Sequence, residues 1–177
     1  FDDEAIGAFS SAVTTVIDNI NAIMEAEIEA AEVAVEAAEK RVEAAEEACN
    51  AYLGTTSSTF VTNATAGFEI AYKYANLQPG DEVIVVEPSF VCYGPLASLA
   101  GGVPVIVETE LKDEFKLTAE KLKAAITPKT KMLVMPFPSN PTGGIMERRD
   151  LEAIAEVLRG TDIMVISDEI YAELTYG

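Results

Sequence analysis

Residues 131–144, Lys131-Met-Leu-Val-Met-Pro-Phe-Pro-Ser-Asn-Pro-Thr-Gly-Gly144, decide the fold. Lys131 to Met135 is an apolar run with the length of a buried strand, and it empties into a turn of Pro, Ser, Asn and Gly. A second segment repeats the design: Ile163-Met-Val-Ile166 runs into Ser167-Asp168-Glu169-Ile170-Tyr171, so a buried strand ends on a carboxylate. Working outward, Glu82-Val-Ile-Val-Val-Glu87 follows the Pro79-Gly80-Asp81 turn, and Val103-Pro-Val-Ile-Val107 follows Gly101-Gly102. Helix candidates separate these runs: Ala64 to Ala75, Gly94 to Leu99, Thr118 to Ile126, and Met146 to Arg159 with Gly160 as its stop. Apolar strands alternating with helices predict an α/β fold, a mostly parallel sheet with helices flanking both faces. Ligands of such sheets sit at the carboxyl ends of the strands.

Ahead of this region lies a different kind of chain. Residues 1–58 contain no proline, and their only glycines are Gly7 and Gly54. Ile28-Glu-Ala-Ala-Glu32, Val35-Glu-Ala-Ala-Glu39 and Val42-Glu-Ala-Ala-Glu46 repeat every seven residues. Ile28, Val35, Val42 and Cys49 fall at heptad position a, and Met24, Ala31, Ala38, Ala45 and Tyr52 at d. A long Ala/Glu-rich helix is expected from Asp18 to Leu53, with Gly54 as its stop and a shorter helix over residues 4–17 before it. The repeat fits a solvated amphipathic helix on its own domain and an oligomerisation helix equally well. Alanine at d buries little area, and the surplus of Glu over Lys leaves few ion pairs to select a partner. A Ser/Thr linker follows, so the expected domains are 1–58, acidic and helical, and 59–177, α/β.

Composition narrows the function classes. The net charge is −18 over 177 residues. Residues 1–58 carry 13 acids and two bases, and residues 59–177 carry 17 and ten, so the acidity is concentrated in the first third. This balance repels nucleic acid and anionic membrane surfaces. With 49% hydrophobic residues, the chain can bury a real core. Histidine is absent, which removes His-based catalysis and His-ligated metal, and two distant cysteines do not make a thiolate zinc site. Cys49 and Cys92, with no secretory signal and no apolar run of about 20 residues, read as free thiols of a cytoplasmic protein. The chain starts at Phe1 and not at Met, and it is expected to be a piece of something longer.

Asp168, alone, fits a helix N-cap or a structural ion pair. Asn140-Pro141-Thr142-Gly143, alone, is a common turn. Phe90, in Glu87-Pro88-Ser89-Phe90-Val91-Cys92-Tyr93, is by itself a core aromatic. The combination is more specific, because Asn140 precedes Asp168 by 28 positions and each follows an apolar run. The pattern from Phe60 to Gly177 resembles the large, cofactor-binding domain of class I/II pyridoxal-phosphate-dependent aminotransferases, the aspartate aminotransferase fold type.

That resemblance implies a cofactor, pyridoxal 5'-phosphate, and a role for each matching residue. Asp168 would pair with the protonated pyridine nitrogen, where an opposite charge keeps the ring protonated and able to accept electrons. Asn140 and Tyr171 would hydrogen-bond the ring oxygen, and Phe90 would stack on the ring face. In Val61-Thr62-Asn63-Ala64-Thr65-Ala66-Gly67, Ala64 and Thr65 would donate to the phosphate at a helix start. This turn is one residue short of the commonest family pattern, which has Gly after Asn.

The lysine that bonds the cofactor lies, in the family, a few dozen residues beyond the Asp-Glu-Ile-Tyr segment. None of the eight lysines here has the expected context, and Arg148 and Arg149 at a helix start are expected to be solvated. The resemblance therefore implies an aminotransferase fragment that binds cofactor and does not turn over, from a parent moving an amino group between an amino acid and a 2-oxo acid. One rival is a non-enzymatic helical oligomerisation or scaffold protein. Another is a cofactor-dependent lyase or decarboxylase on the same frame.

Overall fold

The computed structural model describes residues 3–174, which divide between Phe60 and Val61 into two compact units. The first is dominated by one helix, α1 (Asp3–Leu53). The expected break near residue 17 does not occur. Thr14 and Thr15, whose hydroxyls could compete with the helix, donate instead to the carbonyls of Ser10 and Ser11, at 3.1 and 3.0 Å. Gly54, at φ 66°, ends the helix. The chain then folds back on the helix end: Ser58 Oγ donates to the Glu46 carbonyl (3.1 Å), and the Phe60 N–H donates to the Glu46 carboxylate (3.2 Å). Met24, Ile28, Val35 and Val42 of the heptad seam are all exposed.

The second unit is a four-stranded parallel sheet of β1 (Glu82–Glu87), β2 (Val103–Glu108), β3 (Thr130–Pro136) and β4 (Met164–Asp168), in the order β2-β1-β3-β4. Its helices are α2 (Ala64–Ala75), α3 (Tyr93–Leu99), α4 (Ala119–Ala125) and α5 (Arg148–Leu158). Their limits follow local chemistry. Asn63 caps α2 by accepting the Ala66 N–H, and Thr118 caps α4 by accepting the Lys121 N–H. Glu147 and Asp150 form a reciprocal capping box at the start of α5.

Alternation along the central strands builds two cores. Val83 and Val85 of β1, with Met132 and Val134 of β3, face Phe68 and Tyr72 of α2 and Tyr93, Leu96 and Ala97 of α3. Ile84, Val86, Leu133 and Met135 point the other way, against Leu122 of α4 and Ile154 of α5. Side chains of one strand alternate between faces, so continuous Val/Ile/Leu/Met runs are what a sheet covered on both sides requires.

β4 departs from expectation. It is the last strand in the order, and Val165 and Ser167 are exposed, so Asp168 ends a half-buried edge strand and not a buried one. Among the described residues no strand pairs with its outer side. The order also makes a switch point: β1 leads by α3 to β2 on one side, while β3 and β4 lie on the other, and a crevice opens at the carboxyl ends.

Candidate functional site

Three strand ends deliver the site. The segment after β1 carries Phe90 and Tyr93, the turn after β3 carries Asn140, and β4 ends at Asp168 with Tyr171 close behind. The Asn140 turn is held shut by its own backbone: the Ser139 N–H donates to the Gly144 carbonyl (2.9 Å), and the Gly143 N–H donates to the Ser139 carbonyl (2.8 Å). Gly143 takes φ 70°, and a Cβ on Gly144 would lie 3.1 Å from the Glu114 carbonyl oxygen, so this glycine pair suits both the bend and the close approach.

A cavity of about 310 Å³ is lined by Ala64, Phe90, Tyr93, Pro136, Pro138, Asn140, Asp168, Ile170 and Tyr171. Five of the six residues singled out in the sequence therefore meet at one cavity. The sixth, Thr65, is exposed on the first turn of α2 and is not among the lining residues. A larger cavity of about 560 Å³ adjoins the first and shares Pro138, Asn140 and Tyr171. It reaches no carboxylate, so the smaller one is the better place for a ring carrying positive charge.

Within the smaller cavity the polar atoms are already ordered. Asn140 Nδ2 donates to the Tyr171 hydroxyl oxygen at 3.4 Å. The Asn140 amide keeps a second N–H, and Tyr171 keeps its own O–H to donate. Asp168 Oδ1 accepts the Ile170 N–H at 3.2 Å, which caps the turn after β4, so part of the purely structural role expected of a lone Asp is present. Asp168 Oδ2 accepts the Tyr93 hydroxyl at 2.8 Å.

Sequence reasoning missed Tyr93. The signal was its spacing, three residues after Phe90 at the start of a helix. The two rings meet edge-on at 6.3 Å, and Tyr93 also meets Phe68 edge-on at 5.2 Å. Burial, then the hydrogen bond to Asp168, pushes the Tyr93 phenol far above its ordinary range, so it stays a donor. Burial is also the main reason the Cys92 thiol is pushed up, with the Asp168 charge adding to it. The remaining polar feature is the start of α2, where helix geometry turns the first N–H groups outward. Asn63 has taken one of them, that of Ala66.

The donors and acceptors present fit a planar aromatic cation that also bears an oxyanion. A carboxylate stands at one wall, a hydroxyl and amide pair at another, an aromatic ring beside them, and a helix start nearby. The family description "Aminotransferase class I and II" matches residues 9–177, and the chain belongs to that family. The match takes in most of α1 as well as the α/β unit, further than the motifs from Phe60 onward reach. Pyridoxal 5'-phosphate is the cofactor of the family.

Particular relatives are similar to different extents. The aspartate aminotransferase of Geobacillus stearothermophilus is 50% identical over 101 residues, 57% of this chain and 26% of that protein. The aspartate/prephenate aminotransferase of Cereibacter sphaeroides is 38% identical over 166 residues, 90% of this chain and 42% of that protein. Among solved structures, the aromatic aminotransferase of Pyrococcus horikoshii superimposes with a TM-score of 0.61 at 42% identity, covering 65% of this chain and 31% of that one. The chain thus spans well under half the length of these relatives.

Proposed function

We propose that residues 61–177 form the cofactor-holding part of an aminotransferase, with pyridoxal 5'-phosphate in the cavity at the ends of β1, β3 and β4. The observation that carries this reading is the convergence of Ala64, Phe90, Asn140, Asp168 and Tyr171 on one cavity. Bound there, the cofactor supplies an electron sink for the carbanion left when an amino acid loses its Cα proton. Asp168 presents a carboxylate to the ring nitrogen. Tyr171 and Asn140 direct their remaining donors at the ring oxygen. Phe90 covers one ring face, and the outward N–H groups of Ala64 and Thr65, with the Thr65 hydroxyl, hold the phosphate at the start of α2.

No lysine is among the residues lining the cavity. These 177 residues therefore act as a binding half, without the amine that bonds the cofactor. The whole protein would move an amino group between an amino acid and a 2-oxo acid, and names such as aspartate aminotransferase among the relatives favour this over a lyase or decarboxylase. A second reading, helical self-association, is supported only by the exposed seam of α1.

The test is a titration with pyridoxal 5'-phosphate followed by absorbance, then borohydride reduction and peptide mapping. Saturable binding is expected, weakened at least about tenfold by Asp168→Ala, since a hydrogen-bonded charge contact contributes roughly 1.5–3 kcal/mol. Reduction should mark no single lysine preferentially. Equal binding by the variant would sink the cofactor reading, and a unique lysine adduct would sink the claim that the amine is not supplied here.

A further inference from the structure

Among the described residues three that are not glycine take left-handed backbone: Asn76 at φ 49°, Glu114 at 54° and Phe115 at 56°. Asn76 ends α2, and asparagine tolerates that geometry. The adjacent pair is different, because a bulky residue such as Phe115 stays in this region only where its surroundings force it to. The loop's own backbone supplies part of the force. The Glu114 N–H donates to the Leu111 carbonyl and the Phe115 N–H to the Glu110 carbonyl, both at 3.0 Å, and the Lys116 N–H donates to the Asp113 carbonyl at 2.9 Å.

The bend is turned toward Gly144. The Glu114 and Phe115 carbonyl oxygens lie 3.1 and 3.3 Å from the point that a Gly144 Cβ would occupy. Gly144 is also the residue that closes the Asn140 turn, because its carbonyl accepts the Ser139 N–H. Lys116 continues the contact to the other side of that turn. Its Nζ lies 2.7 Å from the Glu114 carboxylate and 3.3 Å from Asp150 Oδ2, and only 12% of its side chain is exposed. Asp150 belongs to the capping box at the start of α5, the helix into which the turn leads. The Asn140 amide meets Tyr171 at 3.4 Å, at the long end of hydrogen-bonding distance, so its aim depends on the backbone of its turn. We propose that the Glu114-Phe115-Lys116 loop braces the Asn140 turn, with Lys116 as a positioning residue: by tying the loop to the start of α5 it keeps Gly144 seated and the Asn140 amide aimed at the cofactor's ring oxygen, a role that rests on the cofactor site proposed above.

Lys116→Met keeps most of the side chain's stem and removes its charge. The parent chain, Lys116→Met, Asn140→Ala and the double variant are each titrated with pyridoxal 5'-phosphate and with its 3-deoxy analogue, which has C–H in place of the ring C–OH. Lys116→Met is expected to weaken the natural cofactor roughly three- to fivefold, a partial loss of one hydrogen bond. The deoxy analogue should bind the variant and the parent alike, a selectivity that a merely structural role would not produce, and it also corrects for any loss of folded protein. In the Asn140→Ala background Lys116→Met should add nothing, the mark of coupled residues. Gly144→Ala perturbs the same contact from the other side, since its Cβ would press on the Glu114 carbonyl. It should show the same selective loss, and it carries the test if Lys116→Met does not fold.

Equal weakening for both ligands, additive effects in the double variant, or a folded Lys116→Met or Gly144→Ala variant that binds the natural cofactor like the parent would overturn the brace while leaving the cofactor site standing. A parent that binds neither ligand would remove the cofactor site and the brace together, and an Asn140→Ala variant that binds like the parent would remove the ring-oxygen contact and the brace with it.

Discussion

Pro136 and Asp168 lie opposite each other across the parallel β3–β4 pair, the last matched positions of both strands. The register explains why two turns far apart in sequence serve one cavity. Strands that end level release their following segments at the same height, so Asn140 and Tyr171 come within hydrogen-bonding distance. A one-residue slip in β4 would turn Asp168 to the opposite face of the sheet.

Phe90 is half exposed and meets the fold mainly through the edge of Tyr93. Phe90→Ala should weaken cofactor binding about fivefold, the worth of roughly 1 kcal/mol of stacking. Its melting temperature should move by no more than about 2 °C, as for other surface changes. A large drop in melting temperature with unchanged binding would make Phe90 a structural residue.

Leu133 is fully buried in a central strand, whereas Val35 is exposed on α1. Leu133→Ala should cost about 2–5 kcal/mol in urea unfolding of the α/β unit, because the cavity it leaves cannot fully collapse. Val35→Ala should stay within about 0.5 kcal/mol at low protein concentration. If that small effect grows with concentration, the α1 seam is a contact between copies.

Asp150 accepts the Glu147 N–H at 3.0 Å and lies 3.3 Å from Lys116 Nζ. The backbone bond, with Lys116 assisting, holds its carboxyl below the usual range. A lowered folded value means that the stabilisation is complete above the ordinary carboxylate value of about 4, and is lost as pH falls through the folded value. Asp150→Ala should therefore be less stable than the parent by about 1 kcal/mol at neutral pH, a typical cap loss. The gap should close as the pH falls below the lowered folded value. Urea midpoints at several pH values check this, and a gap independent of pH would refute the linkage.

Tyr72 is buried against the sheet, and its phenol is pushed up to about 12, by burial first and by Cys92 second. A raised folded value works in the opposite sense: its contribution is complete below the ordinary phenol value of about 10 and is lost as pH rises toward the folded value. Alkaline titration followed by phenolate absorbance should show Tyr72 ionising late or only on unfolding, and Tyr72→Phe should flatten the loss of stability above pH 10. Early ionisation of every tyrosine would contradict this packing.

The sequence by itself determined the local elements. Apolar runs of strand length, Asn63 and Thr118 as caps, and Gly54 and Gly160 as stops act through neighbours a few residues away, and each strand and α-helix of the α/β unit lies within two residues of its expected limits. The same holds for Asn140 and Asp168, whose turns and spacing are written along the chain. Only the tertiary structure decided that β4 has no outer partner among the described residues, that Ala64 but not Thr65 lines the cavity, and that Tyr93 reaches Asp168. Those relations depend on which strands pair and how the α2–α3 layer packs on them. Contacts across 75 residues leave no periodic trace in the chain, because their geometry exists only once the sheet has assembled.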